Sequence, residues 1–192
     1  MSHDLNELLQ GLIRRAQSHG ADQADAVAVD QVEGSVRVRL GEVDQIQQAR
    51  KRRVGLRVLI GGSQAITASG DLRPETLDRL ADETCGMARL TAADPCAGLP
   101  DPADCGAKHV DSSELRDAAA DGFDLQKGVD WARKAEEVAM AEDARITNSE
   151  GGEFGFANTS RHYAASGGVS GSYKSSSFSG AVVPVASQDG AM

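Results

Sequence analysis

The sequence predicts an α+β fold: an antiparallel β-sheet with packed helices, followed by a second β-rich subdomain. Three observations predict it. Leu5, Leu8, Leu9, Leu12, Ile13 and Ala16 recur at helical spacing. The chain then changes period, and from about Ala26 to Ala68 apolar and polar residues alternate as they do in half-buried strands. Finally, 21 glycines stand against 5 prolines, a ratio suited to many tight turns.

Residues 4–19 form the first predicted helix, ended by His19 and Gly20, where a cation and a left-handed residue are both favourable. The next run, through Val36, Val38 and Leu40, is extended, with Gly34 marking a bulge or bend. Gly41-Glu42 offers a turn into a strand over 43–49, and another strand spans 54–60. Gly61-Gly62 then makes a two-residue hairpin into a strand over 63–68, because both glycines tolerate positive φ. Asp71 and Pro74 open a second helix whose buried stripe is Leu77, Leu80, Ala81, Thr84, Cys85 and Ala88. Residues 91–110 hold Pro95, Pro100 and Pro102 and read as an irregular connection. A third helix starts at Phe123 or Asp124, with Leu125, Val129, Ala132, Ala135 and Ala139 on one side. From Arg145 onward, Gly- and Ser-rich alternating segments read as strands of a second, more polar sheet. The expected organisation is therefore a first subdomain over 1–92, a Pro/Asp-rich connection over 93–123, and a helix plus β-rich second subdomain over 124–192. Asp189-Gly190 is a turn signal with only Ala191 and Met192 after it, so the chain is expected to be cut short of a further region.

Composition narrows the function classes. A formal charge of −9 argues against a phosphate-tracking surface, so no nucleic-acid partner is expected. No apolar run approaches a membrane span and the N-terminus lacks a basic segment leading into one, so neither membrane nor secretion is expected. Three cysteines without a C-x-x-C pairing suit a reducing cytoplasm.

No catalytic residue and no metal ligand is assigned. A peptidase zinc site needs two histidines one helical turn apart with a glutamate as base, and His3, His19, His109 and His162 are scattered. Cys85 falls on a buried helix face; Cys105 and His109 are close only in sequence, which is not the geometry a nucleophile and base require. Gly151-Gly152 and Gly167-Gly168 lack the helix and Lys-Ser/Thr of a phosphate loop, and the stretch 166–179 has no G-x-S-x-G elbow. Arg50, Lys51, Arg52 and Arg53 form the one basic cluster, expected as a solvated turn between two strands or as a partner-facing patch. The polar strands between Asn148 and Ser179 can present main-chain groups to an extended peptide by strand addition, which makes Val169, Tyr173 and Phe178 candidate substrate-facing residues.

Several runs carry a resemblance. Gly55-Leu56-Arg57-Val58 with Gly61, Ala68-Ser69 and Asp71-Leu72, the stretch from Thr91 to Leu99, and Ala144 to Gly152 are similar to the TldD/PmbA metallopeptidase family. The last two runs resemble its PmbA (TldE) type, N-terminal portion. The resemblance implies a cytoplasmic subunit, in a family once named modulators of DNA gyrase, that pairs with a TldD-like subunit to degrade small unfolded polypeptides. It implies zinc only in that TldD-type partner, on an H-E-x-x-x-H helix that this sequence does not contain, and no cofactor in this chain. The expected role is substrate enclosure and subunit pairing, with self-association as the other mode of assembly. The alternative is a stand-alone peptide- or protein-binding module without protease activity.

Overall fold

The computed structural model describes residues 2–105 and 113–188. Its elements are α1 (Ser2–Ser18), β1 (Gln23–Arg39), β2 (Glu42–Ile60), β3 (Ser63–Ser69), α2 (Pro74–Ala88), α3 (Leu125–Ala141), β4 (Ile146–Ala165) and β5 (Ser170–Ala186). The strands make one five-stranded antiparallel sheet in the order β3-β2-β1-β4-β5. The α+β class and the helix-covered antiparallel sheet are as predicted. The strands after α3 extend this sheet, however, and do not build the separate second sheet read from their polar composition.

Two compact units are present, each assembled from three stretches of chain. Unit 1 comprises 1–30, 51–112 and 160–174, and unit 2 comprises 31–50, 113–159 and 175–192.

In unit 1, Leu5, Leu9, Leu12, Ile13 and Ala16 of α1 and the predicted stripe of α2 pack on Ala24, Ala26, Ala28, Val54, Leu56 and Val58. Leu9 and Leu12 are fully buried, and such side chains contribute about 1.5–3 kcal/mol each. At the end of α1, Ala21 N–H donates to Ala16 and Gly20 N–H to Gln17, with Gly20 at φ 92°. This double bond pattern needs a left-handed residue, which glycine supplies without strain. Asp71 does not cap α2 directly. It accepts from the Arg73 and Thr76 side chains and from the Arg73 amide, and those bonds hold its carboxyl far below the usual range. The hairpin at Gly61-Gly62 forms as predicted, with φ of 57° and 83°, and sets the register Ile60↔Ser63 through Val54↔Ser69.

In unit 2, α3 begins where Asp124 accepts from the Gln126 amide, and it buries Val129 and Ala132 on Val36 and Val38. All four phenylalanines and the single tryptophan gather here. Phe123 lies 5.2–5.4 Å from Phe154, Phe156 and Phe178, and Trp131 lies 5.6 Å from Phe154. Glycine makes the room. A Cβ on Gly34 would meet Phe156 and Leu125, and one on Gly152 would meet the Ala132 backbone. Gly34 is thus a packing notch inside β1.

Two further expectations are corrected. The tight turn before β2 is Leu40-Gly41, at φ 50° and 82°, one residue earlier than Gly41-Glu42. No turn separates 43–49 from 54–60: β2 runs unbroken through Arg50–Arg53. Residues 42–48 are exposed on both faces, so neither face had to be apolar for the strand to form. The Asp189-Gly190 turn lies outside the described residues.

Candidate functional site

The basic run lies inside β2. Arg52 Nε donates to Asp30 Oδ2 at 2.8 Å, while Arg50, Lys51 and Arg53 are exposed. Val169 sits in the turn before β5, its carbonyl accepting from Ala165. Tyr173 follows on β5 beneath the Arg161 guanidinium, whose carbon is 5.6 Å from the ring centroid. Phe178 is also on β5, its ring edge-on to Phe123 and tilted against Phe154 in the aromatic cluster of unit 2, and still partly exposed. β5 forms one border of the sheet.

The histidines stay apart. His19 contacts Asp78 at 3.3 Å and Asp82 at 3.4 Å on α2, and His162 is buried with its Nε2 3.1 Å from Ser160 Oγ. Burial, and then Lys174, push the His162 imidazole below its ordinary value against the pull of Asp30. The His3 side chain and His109 lie outside the described residues, so the Cys105–His109 pairing does too. Cys85 is buried with its thiol near the Ala16 carbonyl, and burial pushes its pKa up. Among the described residues no group of three His, Cys, Asp or Glu side chains could hold a metal ion, and no helix is long and apolar enough to cross a membrane.

Two polar arrangements escaped the sequence reading. In unit 1, Asp25 is buried and receives both Arg57 Nε and Nη2, at 2.8 and 2.9 Å, and the Tyr163 hydroxyl at 3.1 Å. One carboxylate thus ties β1, β2 and β4. Burial, then the Asp25 charge, push the Tyr163 phenol up to about 12. In unit 2, Glu136 of α3 is 2% exposed, and its two oxygens accept the Leu40 and Gly41 amides at 3.0 and 2.9 Å. Burial alone would raise its pKa; bonds from the Ser149 hydroxyl and these two amides, with the Arg39 charge, hold it below the ordinary value instead. The signal for Glu136 was its position, four residues past the buried Ala132, but its charge argued for solvent.

Unit 2 also carries an open trough of about 240 Å³ on β1, β2, β4 and β5, lined chiefly by small and polar residues such as Ser35, Ala49, Gly155 and Ser177, with Glu33 and Gln47. It offers hydroxyls and one carboxylate but no paired acid and base.

Residues 24–88 match the model of PmbA/TldA metallopeptidase domain 1, and residues 119–192 match that of the PmbA/TldA metallopeptidase central domain. The chain belongs to the PmbA/TldD family. It is 32% identical over 154 residues to the metalloprotease PmbA homolog of Haemophilus influenzae, covering 80% of this chain and 34% of that protein. It is 31% identical over 144 residues to metalloprotease PmbA of Escherichia coli O157:H7, covering 70% of this chain and 30% of that protein. The chain therefore spans about a third of the length of these curated relatives. Among solved structures, a Bacteroides thetaiotaomicron protein described as a modulator of DNA gyrase superposes with a TM-score of 0.85 at 20% identity, covering 97% of this chain and 42% of that one. TldE from Thermococcus kodakarensis does so with a TM-score of 0.72 at 18% identity, covering 95% and 40%. At those identities the structures speak for the fold alone. Within the PmbA/TldD frame, the basic run falls in domain 1, and Val169, Tyr173 and Phe178 fall in the central domain.

Proposed function

We propose that this chain is the N-terminal portion of a PmbA/TldE-type subunit that pairs with a zinc-bearing TldD-like subunit in a metallopeptidase acting on small unfolded polypeptides. In this reading the portion encloses and holds substrate while the partner supplies the metal and cuts. The family match to metalloproteases supports the activity class. The observation that carries the substrate role is β5, a 17-residue strand at the border of the sheet, rich in serine and glycine. A border strand offers main-chain N–H and C=O groups to any extended chain, with affinity from the ladder and little demand on side-chain identity. That tolerance suits mixed unfolded substrates.

The test is capture of a labelled unfolded peptide by the complex of this subunit with its TldD-like partner. Proline replacing Ser175, Ser176, Ser177 and Ser179 in turn removes one N–H at a time. Successive N–H groups alternate between the two sides of a strand, so alternate positions should weaken capture while leaving circular dichroism intact. Unchanged affinity at every position in folded variants would eliminate strand addition on β5. Failure of the two subunits to co-purify would eliminate the pairing.

A further inference from the structure

In unit 1 the helices cover one face of the sheet. Val54, Leu56, Val58 and Ala164 belong to the core under α1 and α2, so the residues alternating with them point the other way. Arg53 and Arg57 of β2 are among these. So is Tyr163 of β4, whose hydroxyl reaches the Asp25 carboxylate that Arg57 also binds. Arg161, two residues before Tyr163, shares this face. The stretch after α2 covers only one end of it, where the Asp94 amide donates to the Gly62 carbonyl and the Leu99 amide to Gln23 Oε1. Beyond that end Val27 is 39% exposed, and Ile66, the cross-strand partner of Arg57, is 68% exposed.

The chain has 29 acidic residues against 20 lysines and arginines, yet among the described residues neither Arg53 nor Arg161 is paired with a carboxylate. The two stand in one row. The Arg57–Asp25 and Arg52–Asp30 pairs set Arg53 beside Val29, and the Ser166 amide on the Ala24 carbonyl sets Arg161 on the other side of Val29. Neighbouring strands are about 4.8 Å apart, so the two arginine backbones lie about 10 Å apart. The Arg161 guanidinium stands over the half-exposed Tyr173 ring, which restrains it without using its N–H donors. We propose that this face docks an extended acidic segment of an unfolded polypeptide, its carboxylates on Arg53 and Arg161 and its apolar side chains on Val27 and Ile66. Alternate residues of an extended chain leave from one side about 7 Å apart, a spacing that two long arginine side chains span. Each guanidinium can take a carboxylate by two parallel N–H bonds. The inference rests on the reading that this chain holds unfolded substrate, and it narrows that substrate to polypeptides with acidic stretches. A short acidic stretch also meets both arginines without setting a long run of charge against the net −9, as a nucleic acid would.

The experiment is fluorescence anisotropy of short labelled peptides with the 192-residue chain. The peptides share one length and alternate leucine with glutamate, glutamine or lysine. The glutamate peptide should bind tightest, and its affinity should fall as salt rises. Arg53→Gln and Arg161→Gln should each weaken it about threefold, and the two together about tenfold, with circular dichroism unchanged. The glutamine peptide should be indifferent to both substitutions. Arg53→Glu combined with Arg161→Glu should bind the lysine peptide in preference, a gain that an unfolded variant does not show. Equal binding of the glutamate and glutamine peptides would overturn the proposal and leave strand addition on β5 standing; binding of neither would overturn both. Glutamate-peptide binding that survives the double substitution, or tighter binding of a single-stranded DNA of equal charge, would also overturn the proposal.

Discussion

Replacing Glu136 by alanine removes the acceptor for two main-chain N–H groups at once. Those amides belong to Leu40 and Gly41, the two positive-φ residues of the turn between β1 and β2. A leucine at φ 50° is an unfavourable conformation, and it persists because surrounding bonds fix it. Hydrogen bonds to a charged partner contribute about 1.5–3 kcal/mol each. Leu40 is 58% exposed, so its freed amide can turn to water, and the lower figure applies. Two bonds then give a loss of about 3 kcal/mol for Glu136→Ala, and about half that for Glu136→Gln, which keeps one acceptor oxygen. Urea unfolding followed by fluorescence reads this directly, because the single tryptophan, Trp131, lies on the same helix. The pH dependence has a definite sign. The folded-state pKa of Glu136 lies below its ordinary value of 4.5, so its stabilisation is complete above that value and is lost as pH falls through the folded pKa. The gap between the unsubstituted protein and Glu136→Gln should therefore be constant near neutrality and narrow in acid. A loss below about 0.5 kcal/mol for Glu136→Ala, the scale of an ordinary surface change, would refute the reasoning.

Tyr163→Phe should cost about 1 kcal/mol in urea unfolding and abolish the phenolate absorbance change near pH 12, while Asp25→Ala should cost about 2 kcal/mol, less than a fully buried pair because Arg57 is partly exposed. Gly152→Ala should destabilise by about 3 kcal/mol, since its methyl would meet the α3 backbone at Ala132, whereas Gly180→Ala should cost about 1 kcal/mol and shift the emission of Trp131, a side chain that can move. Thiol labelling of the native protein should modify exposed Cys96 quickly and buried Cys85 only on unfolding.

What was legible in the sequence was what one element decides alone. All six residues predicted for the stripe of α2 are buried, because a helix against a core must place them so. Gly61-Gly62 and Asp124 were legible for the same reason: a two-residue hairpin and a helix N-terminus each demand a particular residue type. β2 was misread because Arg50–Arg53 broke the alternation that a covered strand must keep, and this part of β2 has no cover. Glu136 was missed because its partners lie 95 and 96 residues away, and nothing local announces two unsatisfied turn amides. The aromatic cluster was equally hidden. Phe123, Phe154 and Phe178 meet only once the sheet is ordered, and the glycines that admit the rings look like turn residues in the sequence. The family was legible where its runs are continuous, from Thr91 to Leu99 and from Ala144 to Gly152.

The most direct measurement is peptide hydrolysis after reconstitution. The PmbA/TldE-type subunit proposed to contain this chain is assayed on an unfolded polypeptide alone, with a TldD-like subunit, and with a TldD-like subunit whose H-E-x-x-x-H glutamate is replaced by glutamine. The account predicts a stable complex, hydrolysis only when both intact subunits are present, and none with the glutamate variant. Zinc-dependent hydrolysis by this subunit alone, at the rate of the mixture, would contradict it.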